Sequence, residues 1–218
     1  MSIPTFNVDE SFSDRYRSAY YERGCFIIKG LLPSNELDQV AGFLARLIDL
    51  KFPGLQVNDA NIVNRASKLL LQAIRLEPKF QSAVYDIMTN SLITTQLSVN
   101  DNVLRVIQKI LSQSVALHHK KLLLMSPPEE RWHLAKWHQD FFYNGGPNNT
   151  VTVYAPLQRT NLRNGGLSVA LNSHLGGLLQ HSDENLETKW HTISDSDINQ
   201  FPEQVSFHLK FSFNYLWF

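Results

Sequence analysis

The sequence predicts an α+β domain in which helices lie on the outside of a β-sandwich or jelly roll. Three observations predict it. Through the first 110 residues or so, apolar residues recur at three- and four-residue spacing around one early strand. From about Ser114 the texture changes to short apolar or alternating runs punctuated by Pro, Gly and Asn. No linker separates the two halves, so the 218 residues read as a single domain over 1–218.

Each element follows from local chemistry. A helix fits Phe12 to Glu22 and is broken by Gly24; a strand then runs from Cys25 to Lys29 and stops at Gly30. Leu31-Leu32-Pro33-Ser34 leads into a second helix with Ser34 as its N-cap, and Glu36 and Asp38 sit in its first turns, where they suit the helix dipole. Its Leu37, Val40, Ala41, Leu44 and Ile48 fall on one face, and Pro53-Gly54 ends it. Further helices fit Asn64 to Arg75, Gln81 to Met88 and Asn102 to Leu111. The last carries Val103, Val106, Ile107 and Ile110 on one stripe, which reads as core rather than as a cofactor box. Strands are expected in the runs Val115 to Met125, Leu134 to Asp140, Val151 to Leu157, Leu167 to Leu171, Val205 to Leu209 and Phe211 to Phe218. Pro127-Pro128, Asn144-Gly145-Gly146-Pro147 and Asn164-Gly165-Gly166 supply turns between them.

Composition narrows the function classes. Twenty basic residues balance twenty acidic ones, which removes the electrostatic case for nucleic-acid binding. The one basic cluster, His118-His119-Lys120-Lys121, reads as a strand end reaching solvent. No apolar stretch approaches the ~20 residues that span a bilayer, and the N-terminus carries acids early and no apolar signal segment. The expectation is a cytoplasmic protein with no nucleic-acid or membrane partner. Cys25 is the single cysteine and lies in the apolar run Cys25-Phe26-Ile27-Ile28, so a buried thiol is expected there rather than a nucleophile.

The chemistry concentrates in Trp137-His138-Gln139-Asp140. On a strand, alternate side chains share a face, so His138 and Asp140 point one way while Trp137 and Gln139 point the other. An imidazole and a carboxylate so placed can grip one metal ion. With a histidine from a distant strand they complete the 2-His-1-carboxylate triad, which leaves positions open for a co-substrate and oxygen. The bare His-x-Asp motif is weak evidence, because it arises by chance in many proteins. Its surroundings strengthen it: the aromatic stretch Phe141-Phe142-Tyr143, a Gly-rich turn, the alternating run Val151 to Leu157 ending in Pro156-Leu157, then Asn164-Gly165-Gly166-Leu167 and Ser173-His174-Leu175-Gly176.

In that order these motifs resemble the phytanoyl-CoA dioxygenase family of 2-oxoglutarate oxygenases, and the opening run Gly24 to Leu32 is similar to that family's first strand. The resemblance covers roughly residues 20 to 218 and is strongest from Trp137 to Gly177. It implies a double-stranded β-helix (jelly-roll) core with flanking N-terminal helices, and use of Fe(II), 2-oxoglutarate and O2 on a small-molecule substrate. His138 and Asp140 match its first two iron ligands. Tyr154 falls where the family often has an aromatic residue near the 2-oxoglutarate pocket; packing in the core is its other reading. His174 matches the family's Ser-His turn, a turn or capping position rather than a ligand.

The match breaks near the C-terminus. The family's second iron-binding histidine sits on a late strand, followed some ten residues on by an arginine for the far carboxylate of 2-oxoglutarate. Here the final run, Val205 to Phe218, stops short of both, so the domain is expected to lack its last strands. His208 is the first substitute among the remaining histidines, ahead of His181 and His191. The leading expectation is a dioxygenase that hydroxylates a small organic metabolite, with Asp140 filling the position a halide would need in a halogenase. A catalytically inactive jelly-roll binding protein is the alternative from another class. The sequence selects neither one metabolite nor an oligomeric state.

Overall fold

The computed structural model describes residues 2–8, 14–112, 114–118, 136–144, 149–158, 160, 166–182, 191–206 and 216–217. A short strand β1 (Thr5–Asn7) precedes helix α1 (Asp14–Arg23) and strand β2 (Ile27–Lys29), and β1 and β2 pair in parallel with Phe6 opposite Ile28. Gly24, at φ +79°, makes the left-handed turn between α1 and β2, where its amide donates to the Tyr20 carbonyl at 2.8 Å.

Helix α2 (Ser34–Lys51) starts one residue earlier in its capping frame than expected. Pro33, not Ser34, is the cap residue, and no side chain caps it. The proline ring presets the extended-to-helical entry, and its carbonyl takes the Glu36 amide at 3.1 Å. The predicted face holds: Leu37, Val40, Ala41, Leu44 and Ile48 are all buried. Helix α3 (Ile62–Leu76) is capped by Asn61, whose side chain accepts from the Asn64 amide at 2.9 Å. Helix α4 (Phe80–Asn90) follows, and then α5 (Leu92–Ser98), which is not among the expected elements. A serine starts α5: the Ser91 hydroxyl accepts from the Thr94 amide at 3.3 Å. Helix α6 (Asp101–Leu111) buries Val103, Val106, Ile107 and Ile110, the stripe read from sequence.

These helices form two cores. One gathers the buried faces of α2, α3 and α4 with Leu97 of α5 and with Ala155 from the second half of the chain. The other joins Phe6, Tyr16 and Ala19 to the stripe of α6 and to Val151. Residues 151–157 thus run against the helices, and this is how the helical half supports the segment beside the candidate site. At ~1.5–3 kcal/mol for each large apolar side chain buried, these contacts dominate the stability of the helical half.

The second half is less regular than the sequence suggested. Among the described residues it contains helix α7 (Asp140–Asn144), strands β3 (Thr152–Val153) and β4 (Ser168–Ala170), a 3-10 turn (Ser173–Gly176), helix α8 (Asp195–Asn199), and strands β5 (Gln204–Ser206) and β6 (Leu216–Trp217). Strands β3 and β6 pair antiparallel, as do β4 and β5, so the described residues hold three two-stranded sheets and no larger one. The molecule is a mixture of helices and small sheets. The strand expected from Leu134 to Asp140 is corrected: residues 136–139 carry no strand and Asp140 opens a helical turn. Residues 114–118 are likewise not a strand, and most of the runs Val115 to Met125 and Phe211 to Phe218 lies outside the described residues.

The two halves are pinned together where α1 ends. The Asn172 amide donates to the Arg23 carbonyl at 3.1 Å, and Arg23 pairs with Glu203. Cys25 lies just ahead of β2 and is half-buried rather than fully buried as expected; it packs with Ile3, Ile27, Leu171 and Val205, and burial pushes its thiol up to about 11. No described helix is long and apolar enough to cross a membrane.

Candidate functional site

Residues 136–144 run as an extended bend into the short helix α7, and this bend brings His138 and Asp140 together without a strand. His138 Nε2 lies 3.2 Å from Asp140 Oδ1. On the other side of the ring Nδ1 is 2.7 Å from the Lys136 carbonyl. A carbonyl only accepts, so Nδ1 carries the proton and Nε2 is the atom turned toward the carboxylate. The second carboxylate oxygen of Asp140, Oδ2, accepts from the Thr152 hydroxyl of β3 at 3.2 Å. The His138 side chain is 20% exposed and that of Asp140 32%.

The electrostatics follow from these contacts. Burial pulls the His138 imidazole down, but the hydrogen bond and charge of Asp140, together with the Lys136 carbonyl, outweigh it and raise its pKa. The pair therefore favours a positive charge between Nε2 and Oδ1, and a metal cation can take the place of the proton. The donor set suits a first-row divalent metal such as Fe(II): one imidazole nitrogen and one carboxylate oxygen. The spacing suits it too, since bonds of ~2.1 Å meeting at a right angle put their donor atoms about 3 Å apart. The Lys136 carbonyl and the Thr152 hydroxyl occupy the outer positions that orient ligands of this kind.

Around the pair stands a group of rings. Tyr143 meets His138 edge-on with centroids 5.6 Å apart, and Phe142 stacks on His181 at 4.3 Å and 13°. His191 lies 5.1 Å from Phe142, and the Tyr143 hydroxyl donates to the His191 carbonyl. The structure thus brings His181 and His191 to the motif, but not as the missing ligand. His181 Nε2 accepts from the Gln139 amide at 3.0 Å, and its Nδ1 donates to the Leu179 carbonyl at 3.1 Å, so both nitrogens are engaged with protein. His191 Nδ1 donates to the Ser182 carbonyl at 2.9 Å. Among the described residues no group of three or more His, Cys, Asp or Glu side chains is arranged to hold a metal. His208 lies outside the described residues.

His174 sits far from this group in its contacts. Its Nε2 donates to the Tyr21 carbonyl in the last turn of α1 at 2.9 Å, and its ring covers Gly24. It caps α1 across 153 residues of sequence, in line with its reading as a turn or capping residue. Tyr154 follows directly on β3, two residues after the Thr152 that reaches Asp140. It is half-buried between Val153 and the buried Ala155, and burial pushes its phenol up to about 12.

Two contributors were not read from the sequence. Thr152 lay within an alternating run, where its hydroxyl carried no signal beyond strand propensity. Gln139 was placed only on the face opposite the ligand pair. Its side chain in fact clasps the chain 38 and 40 residues later, donating to the Gly177 carbonyl at 2.8 Å and accepting from the Leu179 amide at 2.7 Å. No local spacing announces a contact of that range.

Comparison with curated proteins and with solved structures gives no match. A family model, that of phytanoyl-CoA dioxygenase (PhyH), matches residues 20–203, a span that includes the end of α1, all of α2 to α6, the His138–Asp140 pair, β3 and β4. With more than half its length matched, this chain belongs to the phytanoyl-CoA dioxygenase family, a family of Fe(II)- and 2-oxoglutarate-dependent oxygenase type.

Proposed function

We propose that this protein hydroxylates a C–H bond of a small organic metabolite, with His138 and Asp140 as two of the protein ligands to Fe(II). The observation that carries the reading is the facing of His138 Nε2 and Asp140 Oδ1 at 3.2 Å, with the opposite ring nitrogen held by the Lys136 carbonyl. When bound, Fe(II) and 2-oxoglutarate supply the oxidising chemistry: O2 is consumed, 2-oxoglutarate becomes succinate and CO2, and one oxygen atom enters the substrate.

The chain's own residues do the placing. Lys136 holds the imidazole in the tautomer that offers Nε2 outward. Thr152 occupies one oxygen of Asp140 and leaves the other facing His138. Asp140, as a carboxylate ligand, also fills a coordination position that a halogenase would leave for a halide, which favours hydroxylation. Tyr154 is proposed near the 2-oxoglutarate pocket on the family resemblance, where its phenol would be a neutral donor to a carboxylate. No third protein ligand is assigned among the described residues, and His208 is the substitute that the chain itself offers. The domain that carries these residues is proposed to be one jelly roll, with β3 to β6 as parts of it and α1 to α6 packed outside.

An anaerobic titration with Fe(II) and 2-oxoglutarate tests the proposal, because chelation of the co-substrate to iron gives a visible charge-transfer band. The band is expected in the native chain and lost in Asp140→Ala. A folded native chain with no band would replace this reading by that of a non-catalytic binding protein.

A further inference from the structure

The residue between the two proposed ligands has a job of its own. Residues 137 to 143 lie beside the segments 177–182 and 191–193, and the ties between them alternate with the proposed ligands. The Ile193 amide donates to the Trp137 carbonyl at 2.8 Å. The Gln139 amide donates to His181 Nε2, and the Gln139 side chain bonds the backbone at Gly177 and at Leu179. Tyr143 closes the row on the His191 carbonyl. His138 and Asp140 project from the residues between these ties.

We infer that Gln139 is a positioning residue for the metal pair, acting through the backbone of 138–140; this rests on the proposed ligand roles of His138 and Asp140. The argument is geometric. There is no strand ladder at residues 136–139 to hold the main chain, and α7 is a single short turn. Residue 139 alone makes three hydrogen bonds to 177–181, one from its amide and two from its side chain. A primary amide is the group required, since it must accept from the Leu179 N–H and donate to the Gly177 C=O at once. Those bonds fix the peptides on either side of Gln139, and with them the directions in which His138 and Asp140 leave the chain. Loosening them spreads the pair over geometries in which the two donor atoms no longer meet at one metal. Loss of supporting contacts of this kind typically weakens metal binding ~10–100-fold.

The test uses Co(II) alone as a spectroscopic probe, with dissociation constants read from its visible bands in the metal-bound protein. Hydrogen exchange of the Leu179 amide is measured in the metal-free chain. Gln139→Met keeps the length of the side chain and removes both of its hydrogen bonds. The expected result is Co(II) binding by the native chain, its loss in Asp140→Ala, and a dissociation constant ~10–100-fold weaker in Gln139→Met. Exchange at Leu179 should accelerate, and the metal-free protein should melt only slightly lower, as the loss of two hydrogen bonds requires. Should Gln139→Met not fold, Gln139→Asn, which is one methylene too short to make both bonds, is judged on the same dissociation constant. A native constant in the folded variant overturns the inference and leaves the ligand assignment standing. Faster exchange spread well beyond residues 177–181 also overturns it, because Gln139 would then be a general structural residue. Equal Co(II) binding by the native chain and Asp140→Ala removes the ligand assignment, and this inference with it.

Discussion

The helical body and the segment around His138 are joined by different forces. In α2 to α5, Val40, Ile48, Leu69, Val84 and Met88 belong to one core and are at most 1% exposed, and the helices meet chiefly through apolar side chains. Between residues 137–143 and the segments 177–182 and 191–193 the ties are hydrogen bonds in which the main chain takes part, from Ile193 to Trp137, from Gln139 to His181, and from the Gln139 amide group to Gly177 and Leu179. Apolar packing is non-directional and tolerates small shifts. A hydrogen bond is directional, so the second kind of joint holds a direction as well as a distance, and direction is what two side chains need if they are to meet at one metal, as proposed for His138 and Asp140.

The difference can be broken from either side. Asp140→Ala should give the largest functional effect, abolishing the proposed hydroxylation and the charge-transfer band while leaving thermal unfolding of the metal-free chain close to native. Leu69→Ala should do the reverse. It empties a position with no solvent exposure and should cost about 2–5 kcal/mol of unfolding free energy, read by denaturant titration, with metal affinity unchanged below the transition. A variant at either place that impairs both properties equally would erase the division between them.

Gly24→Ala sharpens the comparison at the seam between the halves. The residue needs φ +79°, and a Cβ there would come 2.5 Å from His174 Nδ1. A loss of roughly 1–3 kcal/mol is expected. His174→Ala removes the collision but also the bond to the Tyr21 carbonyl, which is worth about 0.5–1.5 kcal/mol. The double variant should therefore be more stable than the sum of the two single losses, a coupling that a double-mutant cycle reads directly.

Acid should act on the site side first, and more gently. His181 is neutral by its bonding, with Nε2 accepting from Gln139; burial lowers its pKa below 6.5, and the nearby His138 and His191 add to that. A folded pKa below the unfolded one means that stability is fully present above about pH 6.5 and falls as the pH drops through and below that value. Hydrogen exchange at the Gln139 amide should accelerate over that window before global unfolding. The smallest effect concerns Cys25: with its thiol pushed up to about 11, alkylation at pH 8 should be slow in the folded chain and fast once it is denatured.

How much of this was legible beforehand depends on the range of the interaction. The apolar faces of α2 and α6 follow from spacing within each helix, because a 3.6-residue period is a local property, and the residues named from it are the buried ones. Helix α5 escaped because its start rests on one serine cap, on Ser91, rather than on a strong apolar stripe. His138 and Asp140 were named from a motif, and their side chains do converge, but by a bend into α7 rather than along a strand. Strand alternation was the wrong local geometry, although its consequence survives: Gln139 turns away from the pair and into the 177–179 backbone.

By itself the sequence determined the helical faces, the unreactive placement of Cys25, the family, and the two residues that face each other in the site. Only the tertiary structure decided which partners hold them. Thr152 against Asp140, Gln139 against Gly177 and Leu179, and His174 on Gly24 join positions 12, 38, 40 and about 150 residues apart. Apolar periodicity is written into neighbouring residues, whereas a hydrogen bond between distant segments exists only after the chain has folded to bring donor and acceptor into line.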